Sequence, residues 1–176
     1  YRQLTDAVHA NGAKLASHLV HSGRETSSYI TGLQPVGPSS VPCTVLAGGD
    51  VPRELTIDEI ERLIEKFGQA ARRSIEAGFD IIEIHGAHGY LVGQFLSPFS
   101  NRRNDAYGGT FINRMRFPLE VVAKVRSVVG DTVPIAYRMS ADEKISDGLT
   151  LDDSVLFSKE LEREGVDLID VSAGIY

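Results

Sequence analysis

Phe79-Asp80-Ile81-Ile82-Glu83-Ile84 runs directly into His85-Gly86-Ala87-His88-Gly89-Tyr90. The first half is a short apolar run that reads as a strand. The second half sets two imidazoles and a phenol at the strand's end, among glycines that let the backbone turn tightly. Side chains of these types facing one cleft polarise a carbonyl oxygen and deliver a proton. The plainer reading is a strand and a Gly-rich turn, with His and Tyr there only for solubility.

Upstream of this stretch, Thr56-Ile57-Asp58-Glu59 is a capping box that starts a helix. Ile57, Ile60, Ile64, Phe67, Ala71 and Ile75 continue it at helical spacing, and Gly78 ends it. Residues 22–55, rich in Gly, Pro, Ser and Thr, read as a long loop with room for a short hairpin. Loops of this length in a compact domain are usually functional. Before it, Tyr1 to Asn11 reads as a helix closed by Gly12, and Ala13 to Val20 as a strand with His18 and His21 at its end.

Downstream, Asn101 to Gly109 is a polar loop, followed by a helix from Thr110 to Val129. Pro118 inside it predicts a kink or the first turn of a second segment. Val133 to Met139 reads as a strand, Ser140 to Gly148 as a loop, and a helix runs from Thr150 to Gly165. Val166 to Val171 is a last strand, with Ser172-Ala173-Gly174 turning out of it. Strand and helix alternate throughout, which predicts an α/β fold with a parallel sheet. There is neither a Gly-x-Gly-x-x-Gly between strand and helix nor a Walker motif.

Side chains alternate across a strand. One face collects Ala16, His18 and Val20; Ile81, Glu83 and His85; Ala136 and Arg138; and Leu168, Asp170 and Ser172. The other collects Leu15 and Leu19; Ile82 and Ile84; Ile135, Tyr137 and Met139; and Ile169 and Val171. The apolar face suits packing against helices. The mixed face, with Glu83, Arg138 and Asp170, suits a barrel interior in which charges are paired. The polar groups His18, His21, His85, His88, Tyr90, Arg138 and Ser172 fall at the C-terminal strand ends, where a TIM barrel carries its chemistry.

The chain's 176 residues suffice for one domain with a core, and 42% hydrophobic with 24% charged content is ordinary for a globular protein. A net charge of −6 argues against nucleic acid as the main partner. Cys43 is the single cysteine, so no internal disulfide or Cys-ligated iron–sulfur cluster is expected, which fits a reducing, cytoplasmic setting. No apolar run predicts a membrane span and no signal peptide is visible. The chain opens on Tyr1, as a piece of a longer protein would.

The run from Ile82 to Leu91 continues into Gln94-Phe95-Leu96-Ser97-Pro98, Asn101-Arg102-Arg103 and Asp105-Ala106-Tyr107-Gly108-Gly109. With His21-Ser22-Gly23-Arg24 before it and Tyr137-Arg138-Met139-Ser140 after it, it resembles the old yellow enzyme family. These are FMN-dependent ene-reductases, and the likeness is to the bacterial branch with 2,4-dienoyl-CoA-reductase-like members. The resemblance implies a (β/α)8 barrel, of which residues 1–176 cover the third to sixth strands, about half. It implies that His85 and His88 bind the carbonyl oxygen of an enone or enoyl substrate. Reduced FMN gives hydride to the β-carbon, and Tyr90 gives a proton to the α-carbon. Arg138 lies near the flavin pyrimidine, and NADH or NADPH recharges the flavin. His18 stands where the family usually has a glutamine that contacts the pyrimidine, and a neutral imidazole cannot offer an amide's donor–acceptor pair. The family's last strands carry the flavin phosphate, so weak FMN binding is expected unless a second chain or copy completes the barrel.

An alternative reading is a metal-dependent hydrolase, with His18, His21, His85 and His88 as zinc ligands and Asp142 and Asp170 as added carboxylates. Another is an inactive truncated product. Arg102 and Arg103 are expected to order their loop, and Cys43 has no apparent base beside it.

Overall fold

The computed structural model describes residues 1–44 and 49–175. The central sheet is built on four parallel strands, β1 (Ala16–Leu19), β4 (Ile81–Gly86), β5 (Ile135–Ser140) and β6 (Leu168–Ser172), in spatial order β1-β4-β5-β6. The register sets His18 beside Glu83, and His85 beside Arg138, which in turn lies beside Asp170. The mixed face expected from alternation therefore exists.

The opposite face carries Leu19, Ile82, Ile84, Ile135, Tyr137 and Met139 into the core. Helices α3 (Ile57–Glu76), α5 (Phe111–Val129) and α6 (Leu151–Arg163) supply Ile60, Phe67, Phe117, Val121, Val125, Phe157 and Leu161 to the same cluster. Burying such side chains stabilises the fold by roughly 1.5–3 kcal/mol each. Val171 is the exception on this face and stays exposed, because it lies on the edge strand.

Local signals set the helix starts. Thr56 accepts from the Glu59 N–H while the Glu59 carboxylate returns a bond to the Thr56 N–H. Thr150 and Asp153 form a second capping box, and Thr110 accepts from the Asn113 N–H. Helix α1 (Arg2–Ala10) packs at the N-terminus, where Thr5 donates to the Ala77 carbonyl at 2.6 Å.

The structure departs from the sequence expectations in several places. Strand and helix do not alternate strictly, since a short helix α4 (Leu91–Leu96) precedes α5 between β4 and β5. All of α4 is buried, so it carries no amphipathic period to betray it. The long loop holds one turn of helix, α2 (Ser28–Thr31), and no hairpin forms among its described residues. Instead β2 (Val36–Gly37) pairs in parallel with β3 (Arg53–Glu54). Residues 45–48 of that loop lie outside the described residues. Pro118 neither ends nor divides α5, which runs on through it. Strand β1 starts later than expected because its ladder with β4 begins at Ala16 beside Ile81.

Arg103 closes the loops over this frame. Its Nη1 donates to the carbonyls of Pro38 (3.0 Å) and Leu55 (2.7 Å), and its Nε and Nη2 grip Asp105. Arg102 donates from Nε to the Phe99 carbonyl at 3.1 Å.

Candidate active site

Strand β4 carries His85 to the edge of the core, where its side chain is 6% exposed. The chain then turns through Ala87, His88 and Gly89, the last two at φ +55° and +72°. Tyr90 follows as the N-cap of α4. The turn brings the His88 ring to 5.3 Å and the Tyr90 ring to 5.0 Å from that of His85. From β1, the His18 ring approaches His85 to 4.5 Å, and its Nδ1 donates to Glu83 Oε2 at 2.6 Å. Arg138 lies beside His85 in register and pairs with Asp170 at 3.4 Å. His18, His85, His88, Tyr90 and Arg138 are thus brought together from β1, β4 and β5.

Burial pushes the His85 imidazolium down to about 4, with His18, His88 and Arg138 adding repulsion. His88 is lowered for the same first reason, with Arg138 next. His85 is therefore neutral at physiological pH, with one ring nitrogen able to donate a hydrogen bond and the other to accept one. Its Nδ1 is buried without a partner, as is Nε of Arg138.

Close packing fixes the turn. Tyr137 lies so near Gly86 that an added Cβ would fall 2.5 Å from its Cε1 and closer still to Cζ and Oη. A Cβ on Gly93 would fall 2.8 Å from the Gly86 carbonyl oxygen. Gln94, buried in α4, donates to the Gly89 carbonyl (2.6 Å) and to that of Ser22 (3.3 Å). It staples the His21-Ser22-Gly23-Arg24 loop to the histidine turn. In the sequence it is an amide within an apolar run, part of the stretch that carries the family resemblance but with nothing to announce this stapling. The Leu91 N–H donates to the His21 carbonyl across the same seam, at 3.0 Å.

Other groups serve the surrounding loops. His21 Nδ1 accepts from the Gly23 N–H at 3.0 Å, and burial and then Lys66 lower its pKa. Glu25 packs against Gly89, and burial pushes its carboxyl up to about 7 against the pull of Arg24. Arg24 is buried over the Phe99 ring. Glu143, also buried, accepts from Ser97 Oγ (2.6 Å) and the Leu149 N–H (2.7 Å). Cys43 is buried and free. Among the described residues, no three His, Cys, Asp or Glu side chains gather to hold a metal ion.

A parallel sheet with helices over its apolar face and hydrogen-bonding side chains gathered at its C-terminal strand ends defines part of a (β/α) barrel. The chain belongs to the NADH:flavin oxidoreductase / NADH oxidase family, which it matches over residues 1–176. It is 54% identical to an NADH oxidase of Thermoanaerobacter brockii over 99% of this chain and 27% of that protein. It is 46% identical to an NADPH dehydrogenase of Geobacillus sp. (strain WCH70), over 98% of this chain and 49% of that one. An old yellow enzyme homologue from Zymomonas mobilis superposes with a TM-score of 0.85 at 32% identity, over 96% of this chain and 50% of the other. The chain therefore spans between about a quarter and a half of these relatives, and its sheet is a partial TIM barrel.

Membership in an FMN-dependent oxidoreductase family implies FMN and NAD(P)H as cofactors, and it sets aside the metal-dependent hydrolase. The donor set fits a flavin. The Arg138 guanidinium, with its Nε lacking a partner, and the His18 ring stand side by side with His85 on one sheet face. The guanidinium suits the carbonyl-rich edge of a heterocycle that gains negative charge on reduction, and the His18 ring, with Nδ1 given to Glu83, offers Nε2 to accept from a ring N–H on the same edge. Among the described residues, no helix is long and apolar enough to cross a membrane.

Proposed function

We propose that residues 1–176 are one partial-barrel domain carrying the substrate-activating half of an FMN-dependent NAD(P)H oxidoreductase. Its substrate is an α,β-unsaturated carbonyl compound, reduced at the carbon–carbon double bond. The observation that carries this reading is the three-ring cluster at the end of β4, with His88 and Tyr90 at 5.3 and 5.0 Å from the buried His85.

His85 and His88 donate hydrogen bonds to the substrate's carbonyl oxygen, where negative charge grows as the β-carbon is attacked. Fixed donors in a water-poor site stabilise that charge without having to reorganise. The low pKa of His85 keeps it a donor and not a proton source. Tyr90 then protonates the α-carbon. Arg138 and His18 hold the cofactor's pyrimidine edge, and FMN, when bound, supplies the hydride.

The test separates the two half-reactions in the flavin-loaded protein. Tyr90→Phe slows reduction of 2-cyclohexen-1-one by roughly 10²–10⁴-fold, the usual worth of a positioned proton donor. Reduction of the flavin by NADPH stays nearly as fast as in the parent. Equal loss in both half-reactions shows that Tyr90 is not the proton donor.

A further inference from the structure

His88 sits at φ +55°, a backbone region that a residue with a Cβ seldom adopts. Something must hold it there, and two serines touch it. The Ser140 Oγ accepts from the His88 N–H at 3.0 Å and donates to the Gly174 carbonyl at 2.6 Å. The Ser172 Oγ lies 2.7 Å from His88 Nε2. Ser140 and Ser172 are register partners at the ends of β5 and β6, on the sheet face that carries Arg138 and Asp170. One serine therefore grips the backbone of His88 and the other grips its ring.

We propose that Ser172 and Ser140 are positioning residues for His88, Ser172 donating its hydroxyl proton to Nε2 so that the imidazole carries its own proton on Nδ1. This rests on the reading of His88 as a donor to the substrate oxygen. With Nε2 taken by Ser172, Nδ1 is the ring nitrogen left to face a ligand, and it can donate only in the Nδ1–H tautomer. Burial and Arg138 disfavour the imidazolium, so the tautomer decides whether a donor is present at all. Ser140 supplies the second half by satisfying the backbone N–H in the turned conformation. The hydroxyl of Ser172 acts only through His88 and does not touch substrate in this scheme.

Two measurements test it. Long-range ¹H–¹⁵N spectra of the uniformly ¹⁵N-labelled protein report which nitrogen of His88 carries the proton, without any turnover. The parent is expected to show the Nδ1–H form, Ser172→Ala a mixture, and Ser172→Thr the parent pattern. An Nε2–H form in the parent overturns the proposal even if no variant folds. In the flavin-loaded protein, Ser172→Ala is expected to lower kcat/KM for 2-cyclohexen-1-one about tenfold, the loss of one well-placed hydrogen bond. Flavin reduction by NADPH is unchanged, and Ser172→Thr restores the rate. A Ser172→Ala enzyme within twofold of the parent, with the tautomer unmoved, overturns it. His88→Ala is the control for the underlying reading. Unimpaired enone reduction there removes the catalytic role of His88, whereas a large loss with a silent Ser172→Ala refutes only the serine assignment.

Discussion

Gly86→Ala is the sharpest perturbation of this molecule, because Gly86 joins the core to the histidine turn. The new methyl would fall 2.5 Å from Cε1 of Tyr137 and nearer still to Cζ and Oη. Ordinary carbon–carbon contact is about 3.5–4.0 Å, so ring and strand must part by roughly 1 Å or more. Tyr137 is fully buried and packs edge-on against Phe157 at 5.5 Å, which leaves it little room to retreat. Overpacking of this kind costs about 1–3 kcal/mol, and a rigid strand facing a large ring belongs at the upper end. That is a large share of a typical domain's 5–15 kcal/mol, roughly speaking. Urea unfolding should show the loss as a lower midpoint at unchanged slope. Tyr137→Phe should rescue little, since Cζ remains in the way. Tyr137→Leu, which removes the far end of the ring, should make the double variant less unstable than the two single losses added together. Tyr137→Phe alone should be neutral or stabilising, because its hydroxyl is buried without a partner. A Gly86→Ala protein as stable as the parent refutes the steric account.

Three further outcomes are expected. The Glu25 carboxyl is raised to about 7 in the fold, by burial above all, from an ordinary 4.5. The folded state thus keeps a proton that the unfolded chain releases, and stability from this group is full below about 4.5 and falls as pH rises through 7. Glu25→Gln should flatten the melting temperature between pH 5 and 8 relative to the parent, and an unchanged slope counts against it. Arg103→Lys should cost about 2–3 kcal/mol in urea unfolding, since a point charge cannot reach Pro38, Leu55 and Asp105 at once. A loss below about 0.5 kcal/mol, the ordinary surface level, would mean the fork is not needed. FMN titrated into these 176 residues, followed by flavin fluorescence, should bind weakly. Ligand sites normally enclose most of their ligand, and among the described residues β1 and β6 leave both flanks of the sheet unpaired. Tight, saturable binding refutes this.

Local chemistry, read from the sequence alone, determined the parallel α/β order, the capped start at Thr56, the helix starts at Thr110 and Thr150, and the two faces of the sheet. It did so because alternation and capping depend on neighbours a few residues away. It also named His18, His85, His88, Tyr90 and Arg138, since polar groups at strand ends stand out against apolar runs. Tertiary structure decided the rest. Helix α4 is buried all round, and a buried helix has no polar face to give it a period. The parallel pairing of Val36–Gly37 with Arg53–Glu54 joins short segments too distant in sequence for any turn signal to announce. The role of Gln94 depends on carbonyls at Ser22 and Gly89 that only the fold brings within reach. The same holds for Ser140 and Ser172: a serine at a strand end looks like any other until the register of β5 and β6 sets both hydroxyls against one histidine.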